Sequence, residues 1–117
     1  MAENLFAVTE EDGVQMIHFT LPTHLDPVEV DRLIAAILDR LARAPGASWV
    51  VDLSGVKYLG SAMLGLMVNI RERVRQTGGR LALAELSPQV LQIFQACVLE
   101  RLFTICKTKA EAIAEVS

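Results

Sequence analysis

The segment 49–53 constrains the fold of this 117-residue chain more than any other part of the sequence. It belongs to a predicted β-strand, residues 47–53, that has no alternation of polar and apolar residues at its centre. Strands with this pattern are usually buried on both faces, inside a sheet that has helices packed against it. We therefore expect residues 49–53 to form the central strand of a layered α/β domain.

Strand and helix patterns alternate along the rest of the chain, after an opening hairpin. Strands are predicted at 5–10, 14–19, 47–53, 81–84 and 102–105. Helices are predicted to begin near residues 27, 61, 88 and 110, where apolar residues recur at three- and four-residue spacing. This order predicts one α/β domain over residues 1–117, with a mixed sheet of about five strands and about four helices packed on it.

Composition and charge argue against several classes of protein. Apolar residues make up 52% of the chain and charged residues 21%, which is typical of a folded domain. A net charge of −3 without a basic run argues against nucleic acid as a partner. No apolar run approaches the ~18 residues that a membrane span needs. Two cysteines make no disulfide framework, so we expect a cytoplasmic protein.

One serine, Ser61, is predicted to open the second helix, after the polar turn that follows the central strand. Backbone N–H groups at a helix N-terminus lack intrahelical partners, and the helix dipole favours negative charge there. A phosphate on Ser61 would therefore be well tolerated. The plainer interpretation is that Ser61 is an ordinary N-cap.

The first two turns of this helix, residues 62–68, are apolar around the whole circumference. A surface helix normally has a polar face. The predicted buried stripe consists of Leu64, Met67, Val68, Ile70 and Val74. Ala62, Met63 and Leu66 would then face outward as an adaptable docking surface. Alternatively, a neighbouring helix covers them.

The sequence contains no constellation typical of catalysis, and neither an enzyme nor a cofactor is expected. His18 and His24 have no second ligand at the spacing of a metal site. No nucleophile elbow or phosphate-binding glycine loop is present. Asp52 and Ser54 could join a histidine only through an accident of folding.

Several groups of residues resemble the signature of STAS domains, the family of anti-sigma factor antagonists and their relatives. The groups are 52–56, 58–61, 64–66, 78–83, 87–90, 99–103 and 109–112. Together they extend from about residue 14 to the C-terminus. The resemblance implies a STAS-like fold of the SpoIIAA type and a regulatory protein-interaction module.

The resemblance also implies a partner and a switch. The partner would be an anti-sigma factor with a GHKL-type serine kinase fold, and Ser61 would be the phosphoacceptor. The predicted partner-binding residues are Gly60, Ser61, Ala62, Met63 and Leu66. Phosphorylation adds roughly −1.5 to −2 charges and would oppose docking. The alternative is a STAS subunit of a transporter or sensor complex in which the serine is not modified.

Gly60 is a departure from the family pattern, because STAS domains usually have an aspartate directly before the phosphorylated serine. Loss of that carboxylate is expected to slow or abolish phosphorylation. The plainer account is that Gly60 supplies a backbone angle that a side chain would resist.

Overall fold

The computed structural model describes residues 4–117, which form five strands and four helices. The strands are β1 (Phe6–Glu11), β2 (Val14–Thr20), β3 (Trp49–Gly55), β4 (Leu81–Ala84) and β5 (Thr104–Cys106). The helices are α1 (Pro27–Ala42), α2 (Ser61–Gln76), α3 (Pro88–Ala96) and α4 (Lys109–Val116). The predicted class and numbers of elements are confirmed, although β3 and β5 each begin two residues later than expected.

The five strands form one mixed sheet in the order β1-β2-β3-β4-β5. The hairpin strands β1 and β2 are antiparallel, and the pairs from β2 to β5 are parallel. The central position of β3 is confirmed. Its neighbouring residues Val50 and Val51, which point to opposite faces of the sheet, are both fully buried.

Helices α1, α2 and α3 lie on one face of the sheet, because each connects parallel neighbours and the chain moves across the sheet in one direction. Ile17, Val51 and Leu83 of the sheet belong to the large core on this face. A smaller core, which includes Val50 and Ile113, lies on the opposite face under α4. Because α4 packs on β3, β4 and β5, the β1 end of that face is more open.

Side-chain caps fix the start of two helices, α1 and α3. Asp26 accepts a hydrogen bond from the Glu29 N–H at 2.8 Å, and the Glu29 carboxylate accepts one from the Asp26 N–H at 3.3 Å. This capping box fixes the start of α1. Ser87 caps α3, where its Oγ accepts a hydrogen bond from the Val90 N–H at 3.2 Å. In residues 4–117 no helix has both the length and the apolar character that a membrane crossing needs.

Candidate functional site

Ser61 lies where the loop after β3 enters α2, at the edge of the sheet where the parallel strands end. It is the first residue of α2, and the N-cap is Gly60. The interpretation of Ser61 as the N-cap is therefore wrong. No side chain of the described residues caps α2, and Ser61 is exposed. The helix therefore does not use the Ser61 hydroxyl as its cap.

Gly60 has an ordinary backbone conformation, with φ −82° and ψ 176°. Any L-residue adopts these angles. Within residues 4–117, a Cβ added at Gly60 would approach Tyr58 Cε2 at 3.8 Å, an ordinary van der Waals contact. The interpretation that Gly60 supplies a special backbone angle is therefore wrong, and an aspartate fits at this position.

The expectation that Met63 and Leu66 face outward is wrong, because they are only 5% and 2% exposed. Helix α2 lies between α1 and α3 on its face of the sheet, and α1 packs against it. A helix with neighbours on both sides buries more than the stripe that faces the sheet. The predicted buried residues Leu64, Met67, Ile70 and Val74 are confirmed, while Val68 is half-buried.

The accessible surface at the start of α2 consists of small residues. Ser61, Ala62 and Gly65 are exposed, and Gly60 is partly exposed. We call these four residues the Ser61 surface. A Cβ at Gly65 would meet no described atom within 4 Å, so no packing contact requires a glycine there. A helical glycine costs about 0.5–1 kcal/mol relative to alanine. The backbone at Gly65 is therefore accessible from solvent.

A cavity of about 280 Å³ lies beside the Ser61 surface. It is lined by Leu21, Pro22, Thr23, His24, Leu25, Val30, Tyr58, Gly60, Ser61, Ala62 and Met63. Parallel pairing of β2 with β3, which places Thr20 opposite Gly55, brings the loops after both strands to the same edge. Sequence reasoning missed this cavity, although the rule that ligands bind beyond the carboxyl ends of parallel strands points to it.

Comparison with known proteins decides the family. A family model for the STAS domain matches residues 6–112. The chain belongs to the STAS domain family. It is 31% identical over 65 residues to BtrV of Bordetella bronchiseptica, which is named as an anti-sigma factor antagonist. The alignment covers 56% of this chain, and it spans just over half of the relative, 56% of its length.

Solved structures confirm the fold of this STAS domain. A STAS domain protein from Planctomyces limnophilus gives a TM-score of 0.83 at 26% identity, over 95% of this chain and 97% of that one. The anti-sigma factor antagonist SpoIIAA in its unphosphorylated form gives 0.74 at 22% identity, over 95% of both chains. The predicted resemblance and the SpoIIAA-type fold are therefore confirmed.

The STAS domain also contains a polar network on the α4 side of the sheet. Its centre is Asp52, which is 4% exposed and is the one buried charged residue within residues 4–117. Asp52 Oδ2 accepts a hydrogen bond from His18 Nδ1 at 2.7 Å, and Oδ1 accepts one from the Ser54 N–H at 2.9 Å. Lys109 Nζ lies 3.7 Å from Oδ2. The network thus joins β2, β3 and α4.

These neighbours control the ionisation of Asp52. Burial on its own raises the pKa of Asp52, but the hydrogen bonds from His18 and Ser54 and the positive charge of Lys109 outweigh it. Together they hold the pKa below the ordinary value of 3.8. The carboxylate is therefore ionised at neutral pH and stabilises the groups around it.

The network continues to Thr9, whose Oγ1 lies 2.8 Å from His18 Nε2. With the proton of a neutral ring on Nδ1, Nε2 is an acceptor, so the Thr9 hydroxyl donates to it. The order Asp52, His18, Thr9 resembles a hydrolase triad. Thr9 is exposed on the edge strand β1, however, and none of the three residues lines the cavity beside Ser61 or a second cavity bordered by Trp49 and Val74. We therefore assign the network a structural role.

Proposed function

We propose that this STAS domain is an anti-sigma factor antagonist that docks a protein partner through the Ser61 surface. Phosphorylation of Ser61 would switch docking off. The exposed Ser61 hydroxyl, which α2 does not use as a cap, is the observation that carries the proposal. The relatives support it, since BtrV is named as an anti-sigma factor antagonist and SpoIIAA has been solved in phosphorylated and unphosphorylated forms.

The proposed partner is an anti-sigma factor with a GHKL-type serine kinase fold, met in the cytoplasm. Gly60, Ser61 and Ala62 remain proposed contacts, and Gly65 joins them as an exposed neighbour one turn along α2. The burial of Met63 and Leu66 does not suit the contact role predicted for them. They support the Ser61 surface from beneath.

The physical basis of the switch is a difference between the free domain and the complex. In the free domain, a phosphate on Ser61 faces water and gains from the N-terminal amides and dipole of α2. In a docked complex the same −1.5 to −2 charges lose water and need a matched partner group. Phosphorylation is therefore expected to leave the fold intact and to weaken docking.

Ser61→Asp is expected to fold with nearly unchanged stability, because a carboxylate in the first turn of a helix gains about 0.3–1 kcal/mol. Its dissociation constant for the partner should rise at least about tenfold, which equals about 1.4 kcal/mol. Isothermal titration calorimetry with the cognate anti-sigma factor measures this change. Ser61→Ala is the matched control and should bind like the wild type. Equal affinities of Ser61→Asp and Ser61→Ala would rule out the charge switch.

Gly60→Asp is expected to fold and to gain a few tenths of a kcal/mol in unfolding free energy, because aspartate is a slightly better N-cap than glycine. Urea unfolding tests this. With the cognate kinase and ATP, Gly60→Asp should be labelled faster than the wild type. Gly60→Ala controls for the loss of glycine without adding a carboxylate. Equal labelling rates of Gly60→Asp and the wild type would show that the carboxylate does not assist transfer.

Gly60 itself favours the second candidate function, a STAS subunit of a transporter or sensor complex that is not phosphorylated. In such a subunit the Ser61 surface would still bind protein, but no carboxylate beside Ser61 would be needed. Absence of labelling in both the wild type and Gly60→Asp would favour this second function.

A further inference from the structure

The cavity that Ser61 helps to line is large enough to hold a group added to its hydroxyl. Its volume is about 280 Å³, whereas one water molecule takes up about 30 Å³ of liquid. This volume is large enough for a phosphoryl group together with several water molecules. The loop of residues 21–25, which contains His24, lines the cavity together with Ser61.

The polar groups in this cavity are donors rather than acids. Within the described residues, His24 is the one basic side chain that lines it, accompanied by the hydroxyls of Thr23 and Tyr58. No carboxylate lines it, because Gly60 occupies the position where the family usually has aspartate. The acids that follow the loop, Asp26 and Glu29, are engaged in the capping box of α1.

The cavity points to a role for His24: we infer that its imidazolium receives the phosphate of phosphorylated Ser61, by donating a ring N–H to a phosphate oxygen. This inference rests on the proposed phosphorylation of Ser61. An aspartate at position 60 would compete with the phosphate for His24. With Gly60 in that position, the ring is free to pair with the phosphate. His24 would thus be a positioning residue that holds the phosphate of phosphoserine 61 inside the cavity.

The test measures the titration of the two histidines by NMR, with and without phosphate. Phosphoserine is installed at position 61 by genetic-code expansion, so no kinase is needed. Because the chain has two histidines, His18 provides an internal reference inside the Asp52 network. A facing phosphate should raise the pKa of His24 by about 1, as expected for an opposite charge nearby. The titration of His18 should not change.

A second readout follows the phosphate itself by ³¹P NMR. The pKa of phosphoserine, ordinarily near 6, should be lower in the wild type than in His24→Gln. His24 is exposed in a loop, so His24→Gln should fold, and its unfolding curve checks this. Thr23→Val is the matched control for a lost polar neighbour, and it should leave the titration of His24 responsive to phosphate.

An unchanged pKa of His24 on phosphorylation, or the same ³¹P titration in the wild type and His24→Gln, would overturn the inference. Either result would leave the proposed function standing, because that function is tested by the affinity of Ser61→Asp for the partner. Conversely, equal partner affinities would end the switch proposal, while the coupling between His24 and the installed phosphate would still be measured.

Discussion

Gly79→Ala is expected to destabilise the domain by about 3 kcal/mol or more, as severe overpacking does. A Cβ at Gly79 would overlap the Ala47 backbone oxygen and would lie 3.0 Å from Val74 Cγ1. The backbone cannot move aside as a side chain does, because the Gly79 N–H donates to the Val74 oxygen at 3.0 Å. Urea unfolding at neutral pH measures the loss.

Gly65→Ala is the matched control for this substitution. The added methyl group meets no described atom within 4 Å, and alanine is the better helix former. This variant should therefore gain about 0.5–1 kcal/mol. Opposite signs for the same chemical change would confirm the close approach of Gly79 to Ala47. Equal stability of Gly79→Ala and the wild type would show that this approach is absent in solution.

Asp52→Ala is expected to lower the unfolding free energy by about 3 kcal/mol at neutral pH, because it removes a buried carboxylate that accepts two hydrogen bonds, and hydrogen bonds to charged groups contribute about 1.5–3 kcal/mol each. His18 and the Ser54 N–H both lose a hydrogen bond, and Lys109 loses a nearby opposite charge. Asp52→Asn should lose less, since its amide oxygen can still accept one of these bonds. Denaturant unfolding monitored by circular dichroism compares the two variants.

The unfolding free energy that Asp52→Asn loses relative to the wild type should decrease as the pH falls. The pKa of Asp52 in the folded state lies below the ordinary 3.8, so its ionised form stabilises the fold above that pH. As the pH falls through the folded-state pKa, this stabilisation disappears, and Asp52→Asn should approach the wild type. Asp39→Asn is the control, because its ion pair with Arg43 is exposed and contributes little. A deficit of Asp52→Asn that stays the same in acid would contradict this account.

Most of the fold could be predicted from the sequence, because the local strand and helix patterns agree with the elements of the observed sheet and its helices. The last strand shows where a local pattern misleads. Its predicted start at residue 102 relied on the apolar pair Leu102 and Phe103, but β5 begins at Thr104. Phe103 lies before the strand and packs edge-on against Phe94 in the core, with the ring centres 5.5 Å apart. Leu102 is exposed. The apolar residue at position 103 therefore indicates packing in the core and not the start of a strand.

Only those features of the candidate site that depend on the sequence of α2 alone could be predicted. The position of Ser61 at the start of α2 followed from the turn and the apolar residues after it. The burial of Met63 and Leu66 did not, because it depends on α1 lying beside α2. The pairing of His18 with Asp52 depends on the register between β2 and β3, across 34 residues of sequence. Such contacts are set by tertiary structure and leave no local periodicity.

The antiparallel direction of β1 determines where a fluorophore should be attached. Because β1 runs against β2, the Leu5 oxygen accepts a hydrogen bond from Thr20 N–H at 2.8 Å, near the loops that flank Ser61. Helix α4 instead begins at Lys109, beside Asp52, and carries the chain toward the other end of the sheet. A fluorophore on the last turn of α4 would therefore stand away from the Ser61 surface, whereas one at Leu5 would stand at the same edge of the sheet as the proposed docking site.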